Sequence, residues 1–484
     1  MGRSVTQRLG GVGAMRRIAR PFAFLVLLLA LVAWSEMSAA IATEFMSAQE
    51  AELSRLLNGE RAAKGLPTLS SSDALRTVAR RHSQRMMTEG TIFHNQRLSE
   101  EVQALFPKWA RVGENVGVGP SIPSVHRAFM NSPGHRANIL DPDFAHLAVG
   151  VVSGGSRLFM TENFLKLQPG AVRPVPASFR LAGGSRTATA RSIADFGFTP
   201  GTARGAVLAP SHDYHGALAG AALAGAIGGP TVLSGTASLD AEARAALERA
   251  LGGDRGGKTV YLVGGPFTAA VRNAVAGLGV RVATIGGADH VATAAAVARS
   301  LPRRPTTAFV ATVADYPDAL AVSAVAAVHG WPVLYTDPRA LSPGTAEVIR
   351  QLGINRSYVA GGPDAVSEAV AAQLRVVGAP MAQRLAGTSR IETATAVADF
   401  ALGNGLNPRH VQIATAYNYP DALAGGPLAG VLRGPVLLTT HGGLHGTPGG
   451  WLRARRGDVD AVYLLGGPAA LSGAVEPGVS AALQ

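Results

Sequence analysis

The chain has 484 residues, 47% of them hydrophobic and 16% charged, with a formal charge of +12. That is enough apolar material for two to four packed domains, and too little charge for a disordered polyelectrolyte. There is no cysteine, which excludes a disulfide framework, a thiolate metal site and a cysteine nucleophile.

The first segment reads as an export signal. Arg3, Arg8, Arg16, Arg17 and Arg20 form a basic region, Pro21 to Trp34 is an uncharged apolar run, and Ala40-Ile41-Ala42 is an A-x-A cleavage pattern. The apolar run is short for a span of about 20 residues, so cleavage after Ala42 is expected over a retained anchor, leaving no transmembrane segment in the mature chain. The segment holds five arginines and one glutamate, so the remainder carries +8. A basic exported chain favours anionic partners. The charge is scattered, with no dense basic tract and no aromatic stripe, which argues against nucleic acid.

Residues 43–167 read as one α+β domain. Leu53, Leu56 and Leu57 lie at helical spacing within Glu50 to Lys64, and Leu75, Val78, Ala79 and Met86 do so within Asp73 to Glu89. Gly65 and Gly90 follow as stops. A third helix is expected from Pro123 to Met130, and strands at Leu147–Val152 and Arg157–Lys166 flank a Gly154-Gly155 turn. Candidate chemistry gathers at His94, at Glu114 in Gly113-Glu114-Asn115, and at His135 in Ser132-Pro133-Gly134-His135-Arg136-Ala137-Asn138. Ser132 and Pro133 look like an N-cap and first turn, placing His135 near a helix start. Two imidazoles and a carboxylate from three segments can bind Zn²⁺ with an open position, or form a hydrogen-bonded polar cluster. No H-E-x-x-H and no G-x-S-x-G turn is present.

This domain resembles the bacterial branch of the CAP superfamily (cysteine-rich secretory, antigen 5, pathogenesis-related). The resemblance rests on Leu56-Leu57-Asn58-x-x-Arg61-x-x-x-Gly65-Leu66-x-x-Leu69, on His94, on the Gly-Glu-Asn at 113–115 and on the run 132–140. It implies an α-β-α sandwich with a cleft lined by His94, Glu114 and His135, the catalytic candidates, with His94 and His135 as Zn²⁺ ligands. The family's fuller pattern has a Trp and a second Glu where Phe129 and Ser132 stand here. Glu162, where relatives often have Gln, is the candidate substitute carboxylate.

Gln168 to Phe179 holds three prolines and reads as an extended linker. Beyond it the pattern becomes β-α-β-α: strands at Ala206–Ala209, Thr231–Leu233 and Val260–Val263, helices at Gly216–Ile227 and Ala241–Leu251. Short apolar strands alternating with helices imply a parallel sheet covered on both faces.

Three blocks recur in three copies. The first is Arg180-Leu-Ala-Gly183-Gly-Ser-Arg186-Thr-Ala-Thr189-Ala190, matched by Arg384-Leu-Ala-Gly387-Thr-Ser-Arg390-Ile-Glu-Thr393-Ala394 and, more loosely, by Thr284, Gly287, His290, Thr293 and Ala294. The second is Tyr214-His-Gly216-Ala-Leu218, Tyr316-Pro-Asp318-Ala-Leu320 and Tyr419-Pro-Asp421-Ala-Leu423. The third is Gly-Gly-Pro at 264–266, 361–363 and 466–468. Gly-Gly turns at strand ends free backbone amides for a ligand, and Asp318 and Asp421 are expected to cap helix N-termini. Each such residue taken alone also suits a turn or a cap. No dinucleotide fingerprint or P-loop is present.

These blocks, with Pro435–Leu438, resemble the cell wall binding repeat 2 family of Gram-positive bacteria. The resemblance implies a Rossmann-like fold per repeat, three lobes, and noncovalent binding of anionic cell wall polymers, with Arg180, Arg186, Asp318, Arg384, Arg390 and Asp421 as polymer-binding candidates. The expected organisation is a signal peptide at 1–42, an α+β CAP sandwich at 43–167, a linker at 168–179, and three α/β Rossmann-like parallel-sheet repeats at 180–280, 281–383 and 384–484. The expected protein is secreted, sits at the cell wall, and presents a CAP domain that binds a small extracellular ligand. The alternative is a hydrolase, metal-dependent or acid/base, acting on wall or protein substrates.

Overall fold

A computed structural model describes residues 47–484; the expected signal segment 1–42 lies outside the described residues. Among the described residues, no helix is long and apolar enough to cross a membrane.

The N-terminal domain is built from helix α1 (47–63), strand β1 (Ser70–Ser71), helices α2 (Asp73–Glu89) and α3 (Leu98–Leu105), strand β2 (Trp109–Gly119), helices α4 (Ile122–Asn131) and α5 (Pro133–Ile139), and strands β3 (His146–Gly154) and β4 (Arg157–Leu167). The sheet order is β1-β3-β4-β2, so β2 is an edge strand. One face carries α2 and α3, packed through Leu75, Val78 and Leu98 onto Ala148 and Leu165. The other carries α1 and α4, packed through Leu53, Leu57, Val125 and Phe129 onto Val149, Met160 and Phe164. Three layers result, as the sandwich reading requires.

The repeated-looking residues of α1 hold this domain together. Arg61 is fully buried and donates to the carbonyls of Pro67, Ile139, Asp141 and Phe144. Asn58 bonds both backbone groups of Leu69. Four carbonyls are thereby satisfied, those of Ile139 and Phe144 in the buried interior.

Segment 168–177 is extended, but it is no free tether. Asp73 N–H donates to Val175 O, and Ala177 N–H to Ser71 Oγ. Arg173 donates to Val459 O and to Asp460 Oδ1 in the third repeat, at 2.9 and 3.0 Å. Arg55 of α1 reaches Phe196 O, and Arg249 pairs with Glu52. The segment is a strap that docks the N-terminal domain onto the repeats.

The repeats begin with β5 (Ser178–Leu181), α6 (Arg186–Gly197), β6 (Gly205–Pro210), α7 (Tyr214–Ile227), β7 (Thr231–Ser234), α8 (Ala241–Leu251), β8 (Thr259–Val263) and α9 (Ala269–Ala276). The second repeat runs β9 (Arg281–Ile285), α10 (His290–Arg299), β10 (Thr307–Thr312), α11 (Pro317–His329), β11 (Val333–Thr336), α12 (Pro343–Leu352), β12 (Arg356–Ala360) and α13 (Glu368–Val376). The third runs β13 (Met381–Leu385), α14 (Arg390–Gly403), β14 (His410–Thr415), a 3₁₀ turn at Pro420–Ala422, α15 (Gly425–Leu432), β15 (Val436–Thr439), α16 (Gly446–Ala454), β16 (Ala461–Leu465) and α17 (Val475–Leu483).

Three all-parallel sheets result, ordered β7-β6-β8-β9, β11-β10-β12-β13 and β15-β14-β16-β5. Each sheet takes its fourth strand from the next repeat, and the third takes its own from the first. Ser178 pairs with Val462 and Leu181 with Leu465, so the repeats close into a ring. Helices α7, α11 and α15 pack against one another, and one hydrophobic cluster, from Leu218 through Leu320 to Leu428, spans all three lobes.

Candidate functional site

In the N-terminal domain the candidate residues gather beside the edge strand β2. Gly90, with φ +70°, caps α2 and turns the chain toward Phe93 and His94. Buried His82 accepts from Arg85 at Nδ1, so its Nε2–H donates to Phe93 O at 2.7 Å. His82 belongs to none of the sequence motifs, yet its bond to Phe93 O holds the loop that presents His94. The ring of His94 is 66% exposed, and its Nδ1 lies 2.9 Å from Glu114 Oε1. The Glu114 side chain is only 5% exposed, and the same oxygen accepts from Asn95 N–H at 2.8 Å. Glu114 Oε2 is buried without a partner.

His135 sits in the first turn of α5, its ring centroid 4.9 Å from that of Phe129. Ser132 and Pro133 occupy the N-cap and first-turn positions that the sequence indicates, although the Ser132 hydroxyl makes no capping bond. His135 Nδ1 is buried and unpartnered. Desolvation, then the nearby charge of His94, pushes its pKa down, so it is a neutral base at neutral pH.

The two motifs meet behind this cleft. Asn115 Nδ2 donates to His135 O and Glu162 Oε2, and Asn138 Nδ2 donates to Asn115 Oδ1 and Glu114 O. Gly113 lets these groups close in, since a Cβ there would crowd Asn138 Oδ1 at 3.2 Å and Phe144 at 3.0 Å. Glu162 does not supply the substitute carboxylate. It pairs in register with Asn115, not Glu114, so it points to the opposite face of the sheet. It is fully buried, and desolvation pushes its pKa up to about 8 against the Asn115 hydrogen bond that lowers it. It is therefore a protonated acid at neutral pH.

The fit of this cleft to Zn²⁺ is poor as arranged. Among the described residues, His94, Glu114 and His135 do not bring three ligand atoms within 4.8 Å of one another; Asp213, His215 and His290, in the repeats, do.

The repeat blocks meet at the lobe junctions. Ser185, Asp289 and Ser389 cap α6, α10 and α14, and Thr189, Thr293 and Thr393 accept from the N–H of Gly183, Gly287 and Gly387 at 3.0–3.2 Å. The three tyrosines of the second block cluster at the ring's centre, with centroids 5.2–5.7 Å apart. Each hydroxyl donates to another lobe: Tyr214 to Val313 O, Tyr316 to Ala416 O and Tyr419 to His212 O.

The six polymer-binding candidates divide. Arg180 is 5% exposed, and its Nη1 donates to Gly466 O and Leu471 O at 2.9 and 2.8 Å, with Glu476 at Nε. Arg384 does the same for Gly361 O and Val366 O, with Glu368 at Nη2. These two are clasps that tie each borrowed strand to the Gly-Gly-Pro turn beside it. Arg186 and Arg390 lie nearer the surface: Arg186 donates to Ser211 O, while Arg390 donates to Ala416 O and Asp315 and lies under exposed Tyr417. Asp318 and Asp421 cap nothing. Each presses on the first glycine of a turn, Gly361 (φ +100°) or Gly466 (φ +116°), where a Cβ would lie within 3 Å of the carboxylate. Burial and then Asp315 push Asp318 up to about 6, against Arg390. Burial raises Asp421 likewise, against Thr189 and Arg186.

Comparison with known proteins places these features. The model of the cell wall binding domain 2 (CWB2) family matches residues 180–276, 284–371 and 384–476, and that of the cysteine-rich secretory protein family, CAP, matches 55–164. The N-acetylmuramoyl-L-alanine amidase LytC of Bacillus subtilis is 29% identical over 54% of this chain and 50% of its own length. The uncharacterized protein YkwD of the same organism is 34% identical over 25% of this chain and 48% of its own. The solved structure of Cwp8 from Clostridium difficile superposes with a TM-score of 0.55 at 26% identity, covering 63% of this chain and 51% of that one. The chain spans about half the length of the curated relatives it matches. With three matched repeats on a ring of parallel α/β sheets behind a CAP domain, the chain belongs to the cell wall binding domain 2 family.

Proposed function

We propose that the protein is secreted, is held at the cell wall by its three repeats through anionic polymers, and presents its CAP cleft to a small extracellular ligand. The family match supports wall polymer binding, and the junction chemistry supports the anionic choice. Arg186 and Arg390 stand at the lobe rims, where their hydrogen bonds go to Ser211 O, Ala416 O and Asp315. The observation that carries the CAP reading is a pair of buried, unpartnered polar atoms, the acceptor Glu114 Oε2 and His135 Nδ1, beside the edge strand β2. Buried polar atoms are normally satisfied, so a ligand offering hydrogen-bond partners to both fits them.

A second reading rests on the His94–Glu114 pair. A carboxylate 2.9 Å from an exposed imidazole orients it for proton transfer, which supports an acid/base hydrolase. In that case Glu114→Ala abolishes turnover of a wall or protein substrate while the domain stays folded. Unchanged turnover removes Glu114 from that role.

Anchoring is tested by sedimentation with purified sacculi. The full chain should sediment, and removing anionic polymers or raising salt should release it. The variant Arg186→Ala, at an exposed position, should sediment less while unfolding at the wild-type temperature. Binding indifferent to polymer removal and to salt would overturn the electrostatic reading.

A further inference from the structure

Asp213, His215 and His290 meet where the first lobe joins the second. Asp213 is the N-cap of α7, His215 lies in the first turn of the same helix, and His290 opens α10 of the next repeat. His215 Nδ1 is 2.6 Å from Asp213 Oδ1, and His290 Nδ1 is 3.6 Å from Asp213 Oδ2. The two imidazoles are stacked, with centroids 3.6 Å apart and planes within 9°. All three side chains bring a ligand atom within 4.8 Å of the others.

This junction differs chemically from its neighbours. His290 stands where the other repeats have Arg186 and Arg390. Arg390 pairs at 3.1 Å with Asp315, the counterpart of Asp213. His215 stands where the other repeats have Pro317 and Pro420. The guanidinium that faces a carboxylate between the second and third lobes is thus replaced by two neutral-capable imidazoles.

The second ring nitrogen of His215 decides what the first one needs. Its Nε2 faces the carbonyl of Val313 at 2.9 Å, an acceptor only, so the proton sits there. Its Nδ1 faces a carboxylate oxygen 2.6 Å away. Two such atoms are joined either by a ring proton or, once the gap widens to admit bonds of about 2.0–2.2 Å to each, by a cation in the proton's place. A backbone carbonyl holding the far nitrogen of an imidazole is also the usual outer support of a metal-bound histidine.

We propose that Asp213, His215 and His290 form a binding site for a first-row divalent cation of the Zn²⁺ type that staples the first lobe to the second. A donor set of two nitrogens and one carboxylate oxygen suits Zn²⁺ and not Mg²⁺ or Ca²⁺. His215 is buried, whereas the His290 side chain is 48% exposed, so the open coordination position faces solvent on that side. Parallel stacked rings cannot both aim lone pairs at one ion. Binding therefore tilts His290 off its stack, which its exposure permits. The ion supplies the positive charge that Arg390 supplies at the next junction.

The test uses the full chain, freed of metal and dialysed against Zn²⁺ alone, with bound metal measured by elemental analysis. A single Zn²⁺ per chain is expected, together with a higher unfolding temperature in its presence. His290→Arg, which imports the residue of the other two repeats, and His290→Gln, which keeps an uncharged side chain at this exposed position, should both fold. Each should lose more affinity than the roughly 10–100-fold typical of losing an outer-shell partner. His94→Ala/His135→Ala should keep the ion, which separates this site from the CAP cleft. Absence of bound Zn²⁺ in the wild type would mean that a proton occupies the gap, and would overturn the proposal. Zn²⁺ retained in both His290 variants would overturn it equally.

Discussion

Replacing Arg180 by Met tests whether the first repeated arginine is a clasp or a ligand contact. Met keeps the aliphatic bulk and removes the donors. Two carbonyls, Gly466 O and Leu471 O, then lose charge-assisted bonds of 2.9 and 2.8 Å inside the fold. Hydrogen bonds to charged groups contribute about 1.5–3 kcal/mol each. The Glu476 carboxylate is 42% exposed, so its pairing adds little after solvent screening. The expected loss is about 3–5 kcal/mol, concentrated on the seam between β5 and β16. At about 2–4 °C per kcal/mol, the scale for 150–250 residues, that corresponds to a fall of about 6–20 °C in unfolding temperature, with the lower end expected for the larger ring of three repeats. Calorimetry of the full chain should show a repeat transition lowered by that amount, with sedimentation on wall sacculi unchanged below it. A variant with wild-type unfolding and impaired sedimentation would refute the clasp and return Arg180 to the polymer contacts.

Three further outcomes are expected. Glu162→Gln should abolish a pH dependence of CAP-domain stability. The native pKa of about 8 lies above the ordinary 4.5, so the native state holds a proton that the unfolded chain releases. Stability is full below pH ~4.5, declines as pH rises toward about 8, and is flat above, and the amide should gain about 2–4 kcal/mol at the alkaline end in pH-scanned thermal melts; equal melts of the two proteins at pH 9 would contradict this. Gly361→Ala should cost more than ~2 kcal/mol in urea unfolding, because φ is +100° and a Cβ would sit 2.3 Å from Asp318 Oδ2. Asp460→Ala removes the shared carboxylate partner of Arg173 and Arg409, so limited proteolysis should cut within 168–177 faster than in wild type; an unchanged cutting rate would mean that Arg173's bonds to backbone carbonyls hold the strap without it.

Much of the architecture was legible because it is written locally. The α2 helix runs over Asp73–Glu89 as its apolar spacing and closing glycine indicate, and the alternating strands and helices of the first repeat lie within a residue or two of their sequence positions. Strand β2 was not legible. Three glycines and two charges interrupt its alternation, because Gly117 and Gly119 admit Val125 and Phe129 against the backbone while Glu114 turns to the cleft. The roles of Arg180 and Arg384 were hidden for a different reason. A repeated arginine looks alike whether it meets a polymer or a carbonyl of the adjacent lobe, and only the borrowing of a strand between repeats decides. His94, Glu114 and His135 were found from motif chemistry. The Asp213–His215–His290 cluster was missed, since its members belong to different repeats and read singly as departures from a pattern.

The ring closure has a consequence for how the chain is made. Strand β5 is among the first parts of the anchor to leave the ribosome, yet its partner β16 is among the last, with Ser178 awaiting Val462. Pairings so distant in sequence form slowly, and an unpaired parallel edge in the meantime invites association with other chains. Ser47 of the N-terminal domain, whose hydroxyl accepts from Arg180 N–H, caps the outer edge of β5 and leaves open the edge that awaits β16, so closing the ring waits on the last strand to be made.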